Sequence, residues 1–262
     1  MKTHLNIVLV ISLLILCPLL LVAQDQMPLS GESDEATKLV REAMECRANA
    51  EIDKCEKLVD QALEADPNNL MANFMKMSLD SNYAVQNKGR LDDLMDQGND
   101  DEKTLISLWR NTNEEKWGKT RGATVNVKED IDNLSNKYEK DNYLQLQLAM
   151  IAMNNDQKDK CKSILESITE RDKEFAPAHN LLGYVFMDEG KMDKAEEHFD
   201  KYIELAPDKA NPYDSKGDYY MEQKDYKKAC EMYEKAYKMD PTMDWSKEKA
   251  EKAKMQMEED KK

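Results

Sequence analysis

The sequence predicts an all-α solenoid of stacked helix-turn-helix pairs with a C-terminal capping helix, and three observations lead there. Between Ala176 and Pro241 one pattern of small and large residues is written twice, 34 residues apart. Through the middle of the chain apolar residues recur at helical spacing, as in Val127, Ile131, Leu134 and Tyr138, with no alternation of the kind a strand requires. Only 8 glycines and 7 prolines, against 35% charged residues, suit long solvated helices.

Taken in order, Met1 to Ala23 reads as an export signal. Lys2 supplies the positive start, Leu5 to Val22 the apolar run, and Ala23 the small residue before the polar Gln24-Asp25-Gln26. Cleavage after Ala23 is expected; the alternative is that the run is retained as a membrane anchor, the one membrane contact the sequence allows. Residues 24–35 read as a polar linker containing Pro28 and Gly31. A first helical unit is expected over 36–67, ending at Ala65-Asp66-Pro67. Residues 68–141 are expected as irregular helical pairs in the same array, with Leu70 to Asp80 as one helix and no second helix in phase with it. Regular units follow over 142–175, 176–209 and 210–243. Residues 244–262 form the polar cap that covers the last apolar face, with Trp245 as its anchor.

In the copy starting at Ala176, His179, Leu182, Gly183, Phe186, Gly190, Ala195, Phe199 and Pro207 hold positions 4, 7, 8, 11, 15, 20, 24 and 32. In the next, Tyr213, Gly217, Tyr220, Ala229, Tyr233, Ala236 and Pro241 hold positions 4, 8, 11, 20, 24, 27 and 32. Small residues at 8 and 20 let two helices approach, aromatics at 11 and 24 fill the space beside them, and proline ends the second helix. This spacing resembles the tetratricopeptide repeat. The wording from Ala178 to Tyr184 and from Asn211 to Gly217 also looks like exported bacterial members of that family.

The resemblance implies a right-handed superhelix and a noncatalytic scaffold that holds a protein or peptide in its concave groove. It puts positions 2, 5, 9, 12 and 13 of each first helix in that groove. Those positions are Tyr143, Leu146, Met150 and Met153, then Asn180, Tyr184, Met187 and Asp188, then Asp214, Asp218, Met221 and Glu222. Methionine and tyrosine adapt to apolar ligands and the acidic residues favour basic ones, so an apolar segment with basic flanks is the expected partner. The basic residues with which chaperone-binding members hold a C-terminal carboxylate are missing. The alternative is that neighbouring helices bury this face. Cys46 and Cys55 fall at positions 11 and 20, both facing the contact between the helices of a unit, and are expected to form a disulfide in an exported protein; two buried free thiols are the other reading.

Charge and composition exclude several functions. A formal charge of −15 argues against a nucleic-acid partner, since phosphate binding needs clustered Lys and Arg. The three cations Lys116, Lys119 and Arg121 around Trp117 read as a solvated loop. His179 and His198 are the histidines beyond the signal, without HExxH spacing, CxxC pair, Gly-rich phosphate loop or nucleophile elbow beside them, so neither enzyme activity nor a metal or cofactor is expected. The acidic run Asp96, Asn99, Asp100, Asp101 and Glu102 suits a helix start better than a calcium loop. Two further functions stay open: a structural assembly subunit of a cell-envelope complex, or an accessory protein of an envelope enzyme system. The expected place is the periplasm or the exterior of a bacterial cell.

Overall fold

The computed structural model describes residues 26–114, 118, 120 and 122–259. The signal at Met1 to Ala23 and the cations Lys116, Lys119 and Arg121 lie outside the described residues. Those residues form helices and no strand, in the hairpin order the spacing predicts. The pairs are α1 (Asp34–Ala48) with α2 (Ile52–Ala65), α3 (Leu70–Leu79) with α4 (Ser81–Met95), and α5 (Asp100–Thr112) with α6 (Val127–Lys137). They continue as α7 (Asn142–Asn154) with α8 (Lys158–Arg171), α9 (Ala176–Asp188) with α10 (Met192–Leu205), and α11 (Asn211–Glu222) with α12 (Tyr226–Met239), before α13 (Asp244–Glu259). No helix among the described residues is long and apolar enough to cross a membrane.

Four of the pairs share one turn. Residue 15 of each is left-handed: Ala50 at φ 57°, Asp156 at 57°, Gly190 at 71° and Lys224 at 59°. The next residue's N–H then reaches back to the carbonyl of position 11, from Glu51 to Cys46, Gln157 to Ala152, Lys191 to Phe186 and Asp225 to Tyr220, at 2.8–2.9 Å. That bond closes the first helix and aims the second back along it. Only one of the four carries glycine, so three bear the steric cost of this conformation.

The two-residue code of each hairpin is also visible in its packing. A Cβ on Gly183 would lie 2.6 Å from the Phe199 ring, and one on Gly217 2.5 Å from that of Tyr233. The first and fourth pairs solve the same contact differently, with Ala43 and Ala149 at position 8 and the smaller Val59 and Leu165 at position 24, all fully buried. Volume is conserved across the contact, as close packing demands.

Residues 68–141 follow the same plan with altered register. The helix α3 has 10 residues where α9 has 13, and Asp80 alone separates it from α4, accepting from the Asn82 and Tyr83 amides at 2.8 and 3.1 Å. The second helix therefore starts early, which hides it from a search in phase. Buried Ala84 and Leu91 take the places that Ala195 and Tyr202 hold in the regular pair. The helix α5 starts on a capping box in which Asn99 and Glu102 satisfy one another's backbone, and Trp109 meets Phe74 of α3 edge to face at 5.0 Å.

The expected linker is a packed strap. Met27 is 1% exposed, and its amide donates to Asp141 at the start of α7 at 3.1 Å, while Arg41 donates to its carbonyl at 2.7 Å. Ser30 donates its amide and hydroxyl to Glu102, the Asn69 amide group donates to the Ser30 carbonyl at 3.2 Å, and the Glu32 amide donates to Asp66 at 3.0 Å. Residues 26–33 thus tie the first, second, third and fourth pairs together. The cap also differs from expectation. Trp245 is 39% exposed, and α13 is seated by Met243, Ser246, Ala250 and Ala253 instead. Small residues at 250 and 253 let α13 lie close on α12, where a tryptophan would hold it off.

Cys46 and Cys55 are buried free thiols, in place of the expected bridge, as are Cys161 and Cys230. They serve as small apolar side chains between helices. Burial pushes Cys55 up to about 11 and Cys161 to about 12, leaving little thiolate to begin disulfide exchange.

His179 and His198 join α9 to α10 through Nδ1 atoms 3.1 Å apart, and His179 Nε2 lies 3.3 Å from the Lys173 carbonyl. Burial, with His179 and Lys194 beside it, holds His198 down to about 4; burial also lowers His179. Both histidines are therefore more easily protonated in the unfolded chain, so their stabilising effect is present above the ordinary histidine range and lost as pH falls from about 6.5 towards 4. His198 is partly exposed, and solvent screening reduces its share to roughly 2 kcal/mol. Replacing His198 with Phe should flatten the fall in melting temperature between neutral and acidic pH, and an unchanged slope would assign the pH dependence to other groups.

Candidate functional site

A free-standing array would contact only its neighbours, but here α1 packs against α7 as well as α3. The turn at Glu51 also reaches Lys209, which begins the approach to α11, with Nζ and carboxylate 2.6 Å apart. The first hairpin therefore lies across the inner side of the fourth and fifth pairs. Between them remains a cleft of about 470 Å³. Met44, Arg47 and Ile52 form one wall, Leu146 and Met150 of α7 the other, with Leu79, Asn180 and Leu181 at its margins.

The twelve predicted groove residues divide into three groups. Tyr143, Leu146, Met150 and Asn180 line this cleft. Leu146 is 5% exposed and Met150 44%, so the first is wall and the second is available to a ligand. The Tyr143 ring meets Phe175 edge to face at 5.2 Å, and burial first, then the nearby Glu45, raises its hydroxyl to about 12. Asn180 Oδ1 is buried without a hydrogen-bond partner. Met153, Tyr184 and Met187 are partly buried against the core.

The third group belongs to the other end of the array. Tyr184 and Tyr233 donate to Asp218 at 2.7 and 2.8 Å, and Lys249 of α13 donates to Asp214 at 2.8 Å and to Asp218 at 2.9 Å. Ser246 completes the network on Asp214 at 2.6 Å. Burial opposes the charge of Lys249, but its bonds to the two carboxylates outweigh that and hold its pKa above the usual lysine value. Two of the four acidic residues expected to meet a basic partner, Asp214 and Asp218, are thus met by the chain's own Lys249. Asp188 pairs with Lys158 at 2.5 Å, Met221 packs partly buried against the last hairpin, and Glu222 is exposed.

Residues 174–242 match the tetratricopeptide repeat family. The chain carries tetratricopeptide repeats. Among solved structures, the chain is similar to TTC0263, a thermophilic tetratricopeptide-repeat protein of Thermus thermophilus, at 14% identity over 84% of this chain and 99% of that one, with a TM-score of 0.50. It is also similar to PilW, a type IV pilus biogenesis factor, at 14% identity over 84% and 99% of the two chains with a TM-score of 0.48. YrrB, a tetratricopeptide-repeat protein with an unusual peptide-binding site, aligns at 16% identity over 80% and 89%, with a TM-score of 0.43. Likeness at these identities concerns the fold. Among curated proteins nothing matches the sequence.

In the repeat frame, the matched stretch covers the fifth and sixth pairs, while the cleft lies between the fifth, the fourth and the first. Sequence reasoning missed Arg47, Ile52 and Leu79, because nothing local announces that the first hairpin folds over the fourth. The strap did leave a signal. Met27 and Leu29 flank Pro28, two apolar side chains on a stretch too rigid for a helix interior, as an extended docked segment would show.

Proposed function

We propose that this repeat protein is an exported, noncatalytic scaffold that binds a segment of a protein partner in the cleft between its first hairpin and the α7–α9 face. The observation that carries the reading is Met150. It is 44% exposed in a concavity that also holds Ile52, 36% exposed, over the buried Met44, Leu146 and Pro177, and there an adaptable thioether offers contact area to a ligand. The tetratricopeptide fold supports a protein-interaction role, and the charge of −15 disfavours nucleic acid. Export rests on the order of the first 23 residues, which places the partner in the cell envelope. Of the expected ligand, the apolar part fits this cleft. The basic flanks lose their support, since Asp214 and Asp218 are already satisfied by Lys249.

Met150→Asp is the direct test. The side chain is exposed, so the variant should melt within about 1 kcal/mol of the parent while losing most capture of envelope proteins. Unchanged capture by a folded variant would move the site elsewhere. A structural assembly role has one observation in its favour. The terminal helix α13 leaves Trp245 39% and Met255 58% exposed, an open end on which another copy could stack. Concentration-dependent self-association lost on Trp245→Ser would favour that role.

A further inference from the structure

The cleft has an electrostatic character opposite to that of the molecule. The chain carries a formal charge of −15, yet of the fifteen described residues lining the cleft Arg47 alone is charged. Two carboxylates of the same hairpin are committed elsewhere: Glu51 pairs with Lys209 at 2.6 Å and with Lys54 at 3.7 Å, and Asp60 pairs with Lys76 at 2.8 Å. The Arg47 guanidinium donates to the Ser78 hydroxyl, a neutral acceptor, and has no carboxylate partner among the described residues. Burial draws its pKa below the usual arginine value. A guanidinium has five donors in a planar fork, and leaving it partly desolvated beside one hydroxyl forgoes the charge-assisted bonds that suit it.

We propose that the cleft recognises an acidic side chain carried within an apolar segment of a partner protein, with Arg47 taking its carboxylate. This rests on the peptide-binding reading above and adds the ligand's charge. An internal acidic residue fits better than a chain terminus because of where Arg47 stands. Met44 precedes it by one turn of α1 and Ile52 opens α2, and both line the cleft with it, so apolar side chains accompany the cation from both helices of the hairpin. A terminus at Arg47 would leave one of those two side chains bare. Asn180 Oδ1, buried without a partner at the margin of the cleft, gives a peptide N–H passing along α9 something to satisfy.

The probe is a displayed library of random peptides selected on the full-length chain, with enriched sequences resynthesised. The expected consensus is an Asp or Glu between apolar residues. Arg47→Gln should weaken such a peptide by roughly ten- to a hundredfold, and exchanging the peptide's acidic residue for its amide should cost the parent protein the same and the variant almost nothing more. If Arg47→Gln fails to fold, Arg47→Lys and the amide peptide on the parent protein carry the comparison. Enriched peptides that lack an acidic residue, or that ignore both changes while losing affinity to Met150→Asp, overturn the acidic ligand and leave the cleft reading intact. Tight peptides insensitive to Met150→Asp, or no enrichment at all, overturn both.

Discussion

Glu102→Ala should lower the stability of the N-terminal half by about 3 kcal/mol and release the strap, because it strands several donors at once. Glu102 is 0% exposed and accepts from the Ser30 amide at 3.0 Å, the Ser30 hydroxyl, the Asn99 amide at 3.2 Å and the Asn99 side chain at 2.8 Å. Burial raises the Glu102 pKa, against the opposing hydrogen bonds from Ser30 and Asn99 and the charge of Arg41. The site therefore costs something to keep ionised, and its donors offset much of that cost. Alanine takes away the acceptor and also breaks the capping box at the start of α5. Limited proteolysis is the sharper measurement, since cleavage within residues 26–33 should appear while helix content is kept. A strap as resistant in the variant as in the parent would show that Met27 and Asp66 hold it unaided.

The second large effect is expected at Lys249. Lys249→Met keeps an apolar stem beside Tyr233 but removes the cation shared by Asp214, 4% exposed, and Asp218. Breaking a buried ion pair from one side costs more than the pair itself contributes, and with the lysine head partly in water the loss should be about 2 to 3 kcal/mol. The check is a double variant. Adding Asp214→Asn removes one of the stranded charges while keeping an acceptor for Ser246, and should recover more than half of the loss in a denaturant melt. If the two changes simply add, the network is not coupled and α13 is held by the packing of Met243, Ala250 and Ala253.

The repeat was legible where it is local. Gly183 against Phe199 and Gly217 against Tyr233 are contacts within one hairpin, so their spacing carries them. Cys55 could likewise be placed at position 20, although the expectation of export pointed to a bridge with Cys46 where the structure has two buried thiols. The α3–α4 pair was half legible, because a first helix shorter by three residues and a single capping aspartate in place of a three-residue turn together moved every later position by five residues relative to the regular pair. The cleft was legible only on its α7 and α9 side. Its other wall comes from the first hairpin, and the neutralisation of Asp214 comes from the cap; both are long-range encounters that a periodic reading does not contain.

The strap also bears on the order in which the molecule assembles. A linear array needs only neighbours, and the hairpins from α7 onward can each form as soon as they are complete. Residues 26–33 are different, since Met27 must find Asp141, 114 residues later in the chain. Closing so long a loop carries an entropic penalty that no early contact offsets, and raises the contact order of the N-terminal half above that of the rest. The strap precedes every described helix in the chain and is thus among the last segments to reach its native place. The cleft takes shape at the same late step, because the docking of the first hairpin on α7 builds one of its walls.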